Sequence, residues 1–588
     1  MPQERVAVDG HDDVNTAWQG RLERPRRGEK PVTMGRRAAL AAAATAVTLV
    51  LASCSGGGGG DDEGGDGADG GGGSDADATL RLALAQDVET LLPMDSNVGD
   101  NISVLDVVYD GLVRYDPETT EPYNYVAESI ESDDNTVWTI KLKHDLTFQN
   151  GEPVDAEAFA RAWNYAAYGP NAMANNYFFE RIAGYDEMQG ETDDDGNVTE
   201  EPAADTLSGL EVVDPQTLEV TLNGPFAGFA TMLGYTGFYP VAQACLDDVE
   251  ACAVKPIGNG PFQVEQWDQG VSLTATRWED YSLEETPTYG TIEWTEYAGT
   301  ENWPDFQAGN LDFAVPPPAE LATAQNDPDL QERFVEGPGA ALTYLAFPLY
   351  EDGPWTDIEF RKAISLAIDR QGIIDALLPG ERVPADSWVV PDGVPGGEAG
   401  TCQWCEFDPA AAKAALEKAG GWPDGEKMTI HLGQDETEQA LFKAIGDSIQ
   451  ENLGIPYELD PTPDYFDRRS ARDFSGPFRA NWFPDYPLNE NYLAPVYASG
   501  DAKNGNTEFG YYSEDFEAAI AAGDEAATLE EAVTHYQEAE AVLAEDFPTV
   551  PVVFSVNSYY YSENVSNVVL DPFSGEPKLR LLEVTNGM

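Results

Sequence analysis

Basic residues are scarce in this chain of 588: 32 Lys and Arg stand against 106 Asp and Glu, a formal net charge of −74. A body so acidic repels phosphate backbones and anionic headgroups, which excludes nucleic acid and an anionic membrane surface as partners. Histidine is scarcer still. The four present (His11, His144, His431 and His535) lie far in sequence from every cysteine pair, so no His–Cys metal spacing exists. No Gly-x-Ser-x-Gly elbow, His-Glu-x-x-His pair or Gly-x-x-x-x-Gly-Lys-Ser/Thr loop occurs, which removes the best-marked hydrolase and nucleotide-binding sites and leaves a secreted hydrolase as a weak alternative. Carboxylate pairs are abundant by chance at this acid content and carry no meaning alone.

Long hydrophobic runs are also missing. Ala38 to Leu51 is apolar over fourteen residues, interrupted only by Thr45 and Thr48, short of the ~20 needed to cross a bilayer. It follows Arg36-Arg37 and leads into Leu51-Ala52-Ser53-Cys54, which gives a basic n-region, an h-region and an apolar-small-small-Cys end: a lipoprotein export signal with Cys54 as the acylated residue. Residues 1–33 extend the n-region, or Met34 is the start; the Arg pair hints at twin-arginine export, though the flanking residues match that signal poorly. Gly56 to Gly73 then holds twelve Gly, five acids and one Ala. Such a segment buries nothing against its conformational entropy and reads as a flexible tether over 54–78. Without residues 1–53 the net charge becomes −76. These features predict an extracytoplasmic protein held at the cell membrane through a lipid.

Cysteine is limited to four residues besides Cys54, in two near pairs, Cys245 with Cys252 and Cys402 with Cys405. Outside the cytoplasm two loop-closing disulfides are the simpler reading; the Cys402-Gln-Trp-Cys405 spacing leaves a metal site as the rival. Aromatics are plentiful (12 Trp, 26 Tyr, 24 Phe) and 42% of residues are hydrophobic, so the chain past the tether can bury more than one core.

From Thr79 onward the pattern alternates strand and helix. Thr79–Ala85 and Val137–Lys143 alternate in polarity, and Glu211–Leu222 reads as two strands around Asp214-Pro215-Gln216. Phe262–Trp267 and Val271–Arg277 form a hairpin pattern; Ala341–Phe347, Met428–Leu432 and Thr549–Asn557 are further strands. Asp155–Ala167 is predicted as a helix with Phe159, Trp163 and Ala166 on one face and Asp155 as its N-cap. Ile358–Leu378 reads as one long helical stretch, with Asp408–Ala419, Gln439–Leu453 and Leu529–Phe547 as others. Two α/β regions with strands crossing near 338–347 and 548–556 suggest a bilobed α/β protein.

Several segments carry a family resemblance, in order along about 79–588: Val107-Val-Tyr-Asp-Gly-Leu-Val-Arg-Tyr-Asp116; Trp138 to Trp163 with its Phe-Gln-Asn-Gly-Glu-Pro-Val-Asp-Ala core; Gly258-Asn-Gly-Pro-Phe262 followed by Trp278-Glu-Asp-Tyr281; Phe360-Arg-Lys-Ala-Ile-Ser-Leu-Ala-Ile-Asp-Arg370; and Trp482-Phe-Pro-Asp-Tyr-Pro-Leu-Asn489. Together they resemble the family 5 extracytoplasmic solute-binding proteins, the oligopeptide and dipeptide receptors of ABC importers. The chain departs from the family pattern at Pro348, at Leu488-Asn489, and in an acidic insertion from Asp186 to Asp205.

The resemblance implies a type II periplasmic-binding-protein fold: one lobe of 79–340 plus 553–588 with an extra subdomain at about 106–210, a second lobe of 341–552, and a hinge between them. It implies a monomer that needs no cofactor or metal, closes on a peptide and docks on the membrane permease subunits; a nickel complex, a sugar or another small solute is the alternative cargo. For the site it implies Asp485 as partner of a ligand ammonium group, which cannot be buried unpaired without large cost. It also implies Arg479 for a ligand carboxylate and Tyr177 as a ligand-facing ring. Beside these, Trp482 offers broad apolar contact as a wall, and the loop Ser96-Asn97-Val98 after the first strand is a candidate source of backbone groups for an extended peptide.

Overall fold

The computed structural model describes residues 76–85, 88–97, 99–192, 198–297, 302–499 and 507–586. The export signal, Cys54 and the tether lie outside the described residues, as does Val98. Among the described residues no helix is long and apolar enough to cross a membrane.

Three principal sheets organise the protein. In the first, Thr79–Leu84 lies parallel to Thr291–Glu296, which continues antiparallel into Ser272–Arg277 and Phe262–Asp268. The alternation read in the first strand places Leu80, Leu82 and Leu84 inward, where they pack with Val104, Val108, Phe262 and Trp294, and with Leu579 and Leu582 from the chain's end. A second, antiparallel sheet runs Ala127–Ser132, Val137–Leu142, Thr217–Thr221, Leu210–Asp214. Helix Ala156–Ala167 packs nearby; Asp155 caps it by accepting from Ala158 N at 3.0 Å, and Trp163 donates its Nε1–H to Phe238 O at 3.0 Å.

The third sheet is the largest. Its path runs Phe313–Ala314, Thr549–Tyr561, Phe334–Ala346, Phe478–Trp482, Met428–Leu432 and Tyr457–Pro461, with Arg382–Pro384 paired to Thr549–Tyr561 off that path. Two 13-residue strands, Phe334–Ala346 and Thr549–Tyr561, pair antiparallel along their length and reach from one core to another. Leu342–Phe347 and Val550–Phe554 belong to the core that holds Phe442 and Tyr492, whereas Tyr559 and Tyr561 pack against the core of the first sheet. Their register jumps between Pro338 and Leu342, leaving residues 339–341 outside the ladder.

The resembling segments are structural joints. Asn259 of the Gly-Asn-Gly turn accepts from Asp110 N and donates to Asp110 O, both at 3.0 Å, and Tyr281 donates to the Asp110 carboxylate at 2.8 Å. Arg114 and Arg580 close the same buried knot, at 3.3 and 2.7 Å from Asp110 Oδ1. Gly258 has to be glycine, because a Cβ there would stand 1.9 Å from Val108 O.

Ile358 to Leu378 is two helices, Ile358–Leu366 and Arg370–Leu377, rather than one stretch. The break has a physical cause. Asp369 caps the second helix by accepting from Gly372 N at 3.0 Å. Arg370 turns inward to donate to Ser365 O, Cys405 O and Pro551 O. The cysteines pair as disulfides, Cys245 with Cys252 and Cys402 with Cys405.

Candidate functional site

A cavity of about 740 Å³ opens beside the third sheet, well within the size range of a site for one small ligand. Its walls come from residues 97–239, the third-sheet strands with the loop after Trp482, helix Tyr465–Ser470 through Phe466 and Arg469, and 571–579.

That loop is built for rigidity. Strand Phe478–Trp482 ends at Trp482, and helix Glu490–Tyr497 begins eight residues later. Asn491, in the helix's first turn, holds both ends: its Oδ1 accepts from Asp485 N at 2.7 Å and its carbonyl accepts from Trp482 Nε1 at 2.6 Å. Tyr486 donates to Glu490 Oε2 at 2.6 Å.

Asp485 is thereby aimed into the cavity, and among the described residues its carboxylate accepts no hydrogen bond. Burial, and then the nearby Glu490 charge, push its pKa up to about 7. Tyr115, Tyr177 and Tyr235 line the same space. Tyr177 stacks on Phe178 with ring centroids 4.4 Å apart, and Phe178 sits 4.3 Å from Tyr235. The phenols of Tyr177 and Tyr235 are raised well above the ordinary value, by burial first and by the Asp485 charge next. An uncompensated carboxylate among aromatic rings is a receptor for a cation: the cation restores the missing charge partner, and the ring faces add attraction.

The other charges in the wall are mostly satisfied within the protein. Arg114 pairs with Asp106 and Asp110, Lys578 with Asp571, and Arg469 with Glu508. Glu576 accepts from Tyr559 at 2.9 Å.

Asp485, Trp482, Tyr177 and Asn97 line the cavity together. Ser96 does not join them: it is fully buried, its hydroxyl donating to Thr90 O at 3.0 Å and its carbonyl accepting from Asn175. Arg479 is likewise placed outside the wall, its Nε 3.3 Å from Glu438 Oε2 on helix Glu436–Leu453. Sequence reasoning missed Tyr115, Tyr235, Arg382, Ser555 and Asn557 as lining residues. Tyr115 and Ser555 lay within segments already read, but nothing in their spacing marked them. Asn557 follows Ser555 by two residues on one strand, so both face the cavity.

Residues 121–504 match the model of the bacterial extracellular solute-binding proteins, family 5. Among curated proteins, the chain is 24% identical over 526 residues to the oligopeptide-binding protein OppA of Bacillus subtilis, covering 86% of this chain and 93% of that one. It is 24% identical over 509 residues to the glutathione-binding protein GsiB of Salmonella choleraesuis, covering 84% and 92%. Among solved structures, the murein tripeptide-binding protein MppA of Escherichia coli superposes with a TM-score of 0.69 at 20% identity, over 87% of this chain and all of that one. This likeness shows a shared periplasmic-binding-protein fold.

Proposed function

The chain belongs to the bacterial extracellular solute-binding proteins of family 5, and on that premise we propose that it captures short peptides outside the cytoplasmic membrane and delivers them to the permease of an ABC importer. The observation that carries the reading is the Asp485 carboxylate, which faces the cavity with no donor among the described residues and with tyrosines around it. A peptide α-ammonium group supplies the missing charge and three N–H donors. A neutral sugar would leave that carboxylate uncompensated. The names of the relatives point the same way: oligopeptide-, glutathione- and murein tripeptide-binding.

In this reading 79–340 with 553–588 form one lobe, with a subdomain at about 106–210, and 341–552 form the other. Walls drawn from both spans support it, as do the two long strands that run from core to core. Ligand bridges the lobes and favours the closed form, which docks on the permease. Cys54 carries the lipid, and residues 54–78 hold the receptor off the membrane. The protein is a receptor and not an enzyme.

Native mass spectrometry of the protein purified from cells tests the assignment. A distribution of co-purifying short peptides, released on denaturation, is the expected result. A single sugar or a metal complex in their place would overturn it.

A further inference from the structure

Five acidic side chains line the cavity: Asp106, Glu180, Asp485, Asp571 and Glu576. Asp106 and Asp571 are neutralised by basic neighbours, Arg114 and Lys578. Glu180 acts on Tyr177, on the Asp485 side. Glu576 is a different case. It accepts from the Tyr559 hydroxyl at 2.9 Å and from Asn557 Nδ2 at 3.4 Å, but among the described residues no basic side chain pairs with it.

The chain around Glu576 is a fixed turn. Leu570 bridges to Pro577, Asp571 N donates to Glu576 O, and Gly575 N donates to Asp571 O, both at 2.7 Å. Asp571 Oδ1 accepts from Phe573 N and Ser574 N at 2.9 Å. Asn557 Nδ2 donates to Ser574 O at 2.7 Å and ties the turn to strand Thr549–Tyr561. Gly575 allows that approach: its φ is +71°, and a Cβ there would stand 2.4 Å from Pro338 O. Glu576 is therefore held at one place in the wall while its side chain stays exposed to the cavity.

Its surroundings call for a cation. Burial raises its carboxyl, the Tyr559 hydrogen bond lowers it in part, and the charges of Asp100 and Asp571 raise it further, to about 7. Solvent in the open cavity screens part of that repulsion in the empty protein. A ligand displaces this solvent, and the carboxylate then needs a charged partner. A carboxylate has roughly four acceptor sites, so a donor still finds room beside Tyr559 and Asn557.

The register of the third sheet separates Glu576 from Asp485. Trp482, three residues before Asp485, lies opposite Leu342, and Leu342 lies opposite Phe554. Asn557 is three residues farther along and two strands over. At about 4.8 Å per strand and about 3.4 Å per residue, the Trp482 and Asn557 backbones are roughly 14 Å apart. An extended peptide advances ~3.3–3.6 Å per residue, so one whose amino group sits at Asp485 brings a cation to Glu576 from a residue after its first.

We infer that Glu576 is a specificity-determining residue that receives a Lys or Arg side chain of the bound peptide, so that the cavity favours basic peptides. This rests on the peptide reading above and names the class of peptide.

The probes are tri- and tetrapeptide pools with free termini, in which one position after the first is fixed as Lys, Gln or Glu and the others are randomised over neutral residues. Displacement calorimetry and native mass spectrometry on the full folded protein read the binding. Wild type should bind the Lys pool about tenfold better than the Gln pool, and the Glu pool least well. Glu576→Gln keeps an acceptor for Tyr559 and should bring the Lys-to-Gln ratio within about threefold, while the penalty for N-acetylation stays. Glu576→Lys should turn the preference toward the Glu pool. Asp485→Asn should keep the Lys preference, which separates Glu576 from a side-chain amine that lands on Asp485 instead. Equal binding of the Lys and Gln pools by wild type, or an undiminished Lys preference in folded Glu576→Gln, overturns the Glu576 subsite and leaves the peptide reading standing. Binding of none of the pools by wild type overturns both.

Discussion

The Arg181 guanidinium lies 2.9 Å from the Glu490 carboxylate and joins the segment after helix Ala156–Ala167 to the first turn of helix Glu490–Tyr497. Its second arm meets Asp524 Oδ2 at 3.3 Å, and its face rests on Phe226 at 4.0 Å. Glu490 is fully buried. It is also the residue that Tyr486 grips, next to Asn491, which fixes Asp485. The clasp therefore braces the loop that carries the cavity's open carboxylate.

Arg181→Met should remove the cation and strand the buried Glu490 charge. A loss of about 2–3 kcal/mol is expected, below the full penalty for a buried pair because Arg181 is partly exposed. Thermal unfolding measures it, and Glu490→Gln added to Arg181→Met should recover part of the loss, since a neutral amide needs no cation. Small-angle scattering of the empty variant should show a larger radius of gyration than wild type. An unchanged radius and midpoint would mean that the clasp holds nothing together.

Asp485 should make both binding and stability depend on pH, with opposite senses. Its carboxyl must be ionised to pair with an ammonium group. With a pKa of about 7 in the empty protein, affinity for peptides with a free amine should fall about 30-fold between about pH 8 and about pH 5.5, and affinity for N-acetylated peptides should not. For stability, the folded pKa lies above the ordinary 3.8, so the folded state keeps a proton that the unfolded chain has already lost. Its contribution is fully present below about pH 4 and is lost as the pH rises through about 7. Asp485→Asn should therefore be more stable than wild type at about pH 8, by on the order of 1–2 kcal/mol once cavity water is allowed for, and no different near pH 4. Denaturant titrations at the two pH values decide it.

Arg370 tests the structural half of the resembling segments. Burial lowers its pKa to about 9, yet its guanidinium donates to Ser365 O, Cys405 O, Pro551 O and the Ser365 hydroxyl. Arg370→Met should take the guanidinium donor from the buried Cys405 and Pro551 carbonyls and cost about 3 kcal/mol or more. Arg370→Lys should rescue little, because a point charge cannot span the same fan of acceptors. The fraction that stays folded should bind ligand as wild type does.

Cys54→Ser should release the protein from membranes. In detergent phase partitioning, wild type is expected in the detergent phase and the variant in the aqueous phase. A wild type found in water, with residues 1–53 still attached, would remove the lipid anchor from the account.

The sequence was most informative where a short run of residues does one local job. Thr79–Leu84 and helix Ala156–Ala167 appear as expected because periodicity and a capping Asp decide them. Asp485 and Trp482 sit three residues apart in one aromatic loop that a single resembling motif marks, and both line the cavity. Arg479 shows why the rest stayed hidden. Its neighbours in sequence suggested a ligand contact, but its ion partner, Glu438, lies forty-one residues away on another element. Arg382 is the reverse case: among the described residues no acid pairs with it, which only the assembled chain can show. The break at Ala367–Asp369 was hidden for a similar reason: Ile364, Ala367 and Ile368 keep helical spacing, and the interruption comes from contacts that Arg370 makes with carbonyls as far away as Pro551.

The jump between Pro338 and Leu342 gives the paired long strands a soft section. Over residues 339–341 the ladder is replaced by the Ser555 hydroxyl, which accepts from Ala341 N and donates to Ala341 O. A ribbon flexes most where its rungs are missing, and this ribbon's gap opens onto the cavity, with Ala340, Ala341 and Ser555 in the wall. A solute lying there would act as a splint, stiffening the ribbon at its weakest point. Occupancy could then be felt as a change in bending stiffness at both ends of the molecule, even without a large displacement at the site itself.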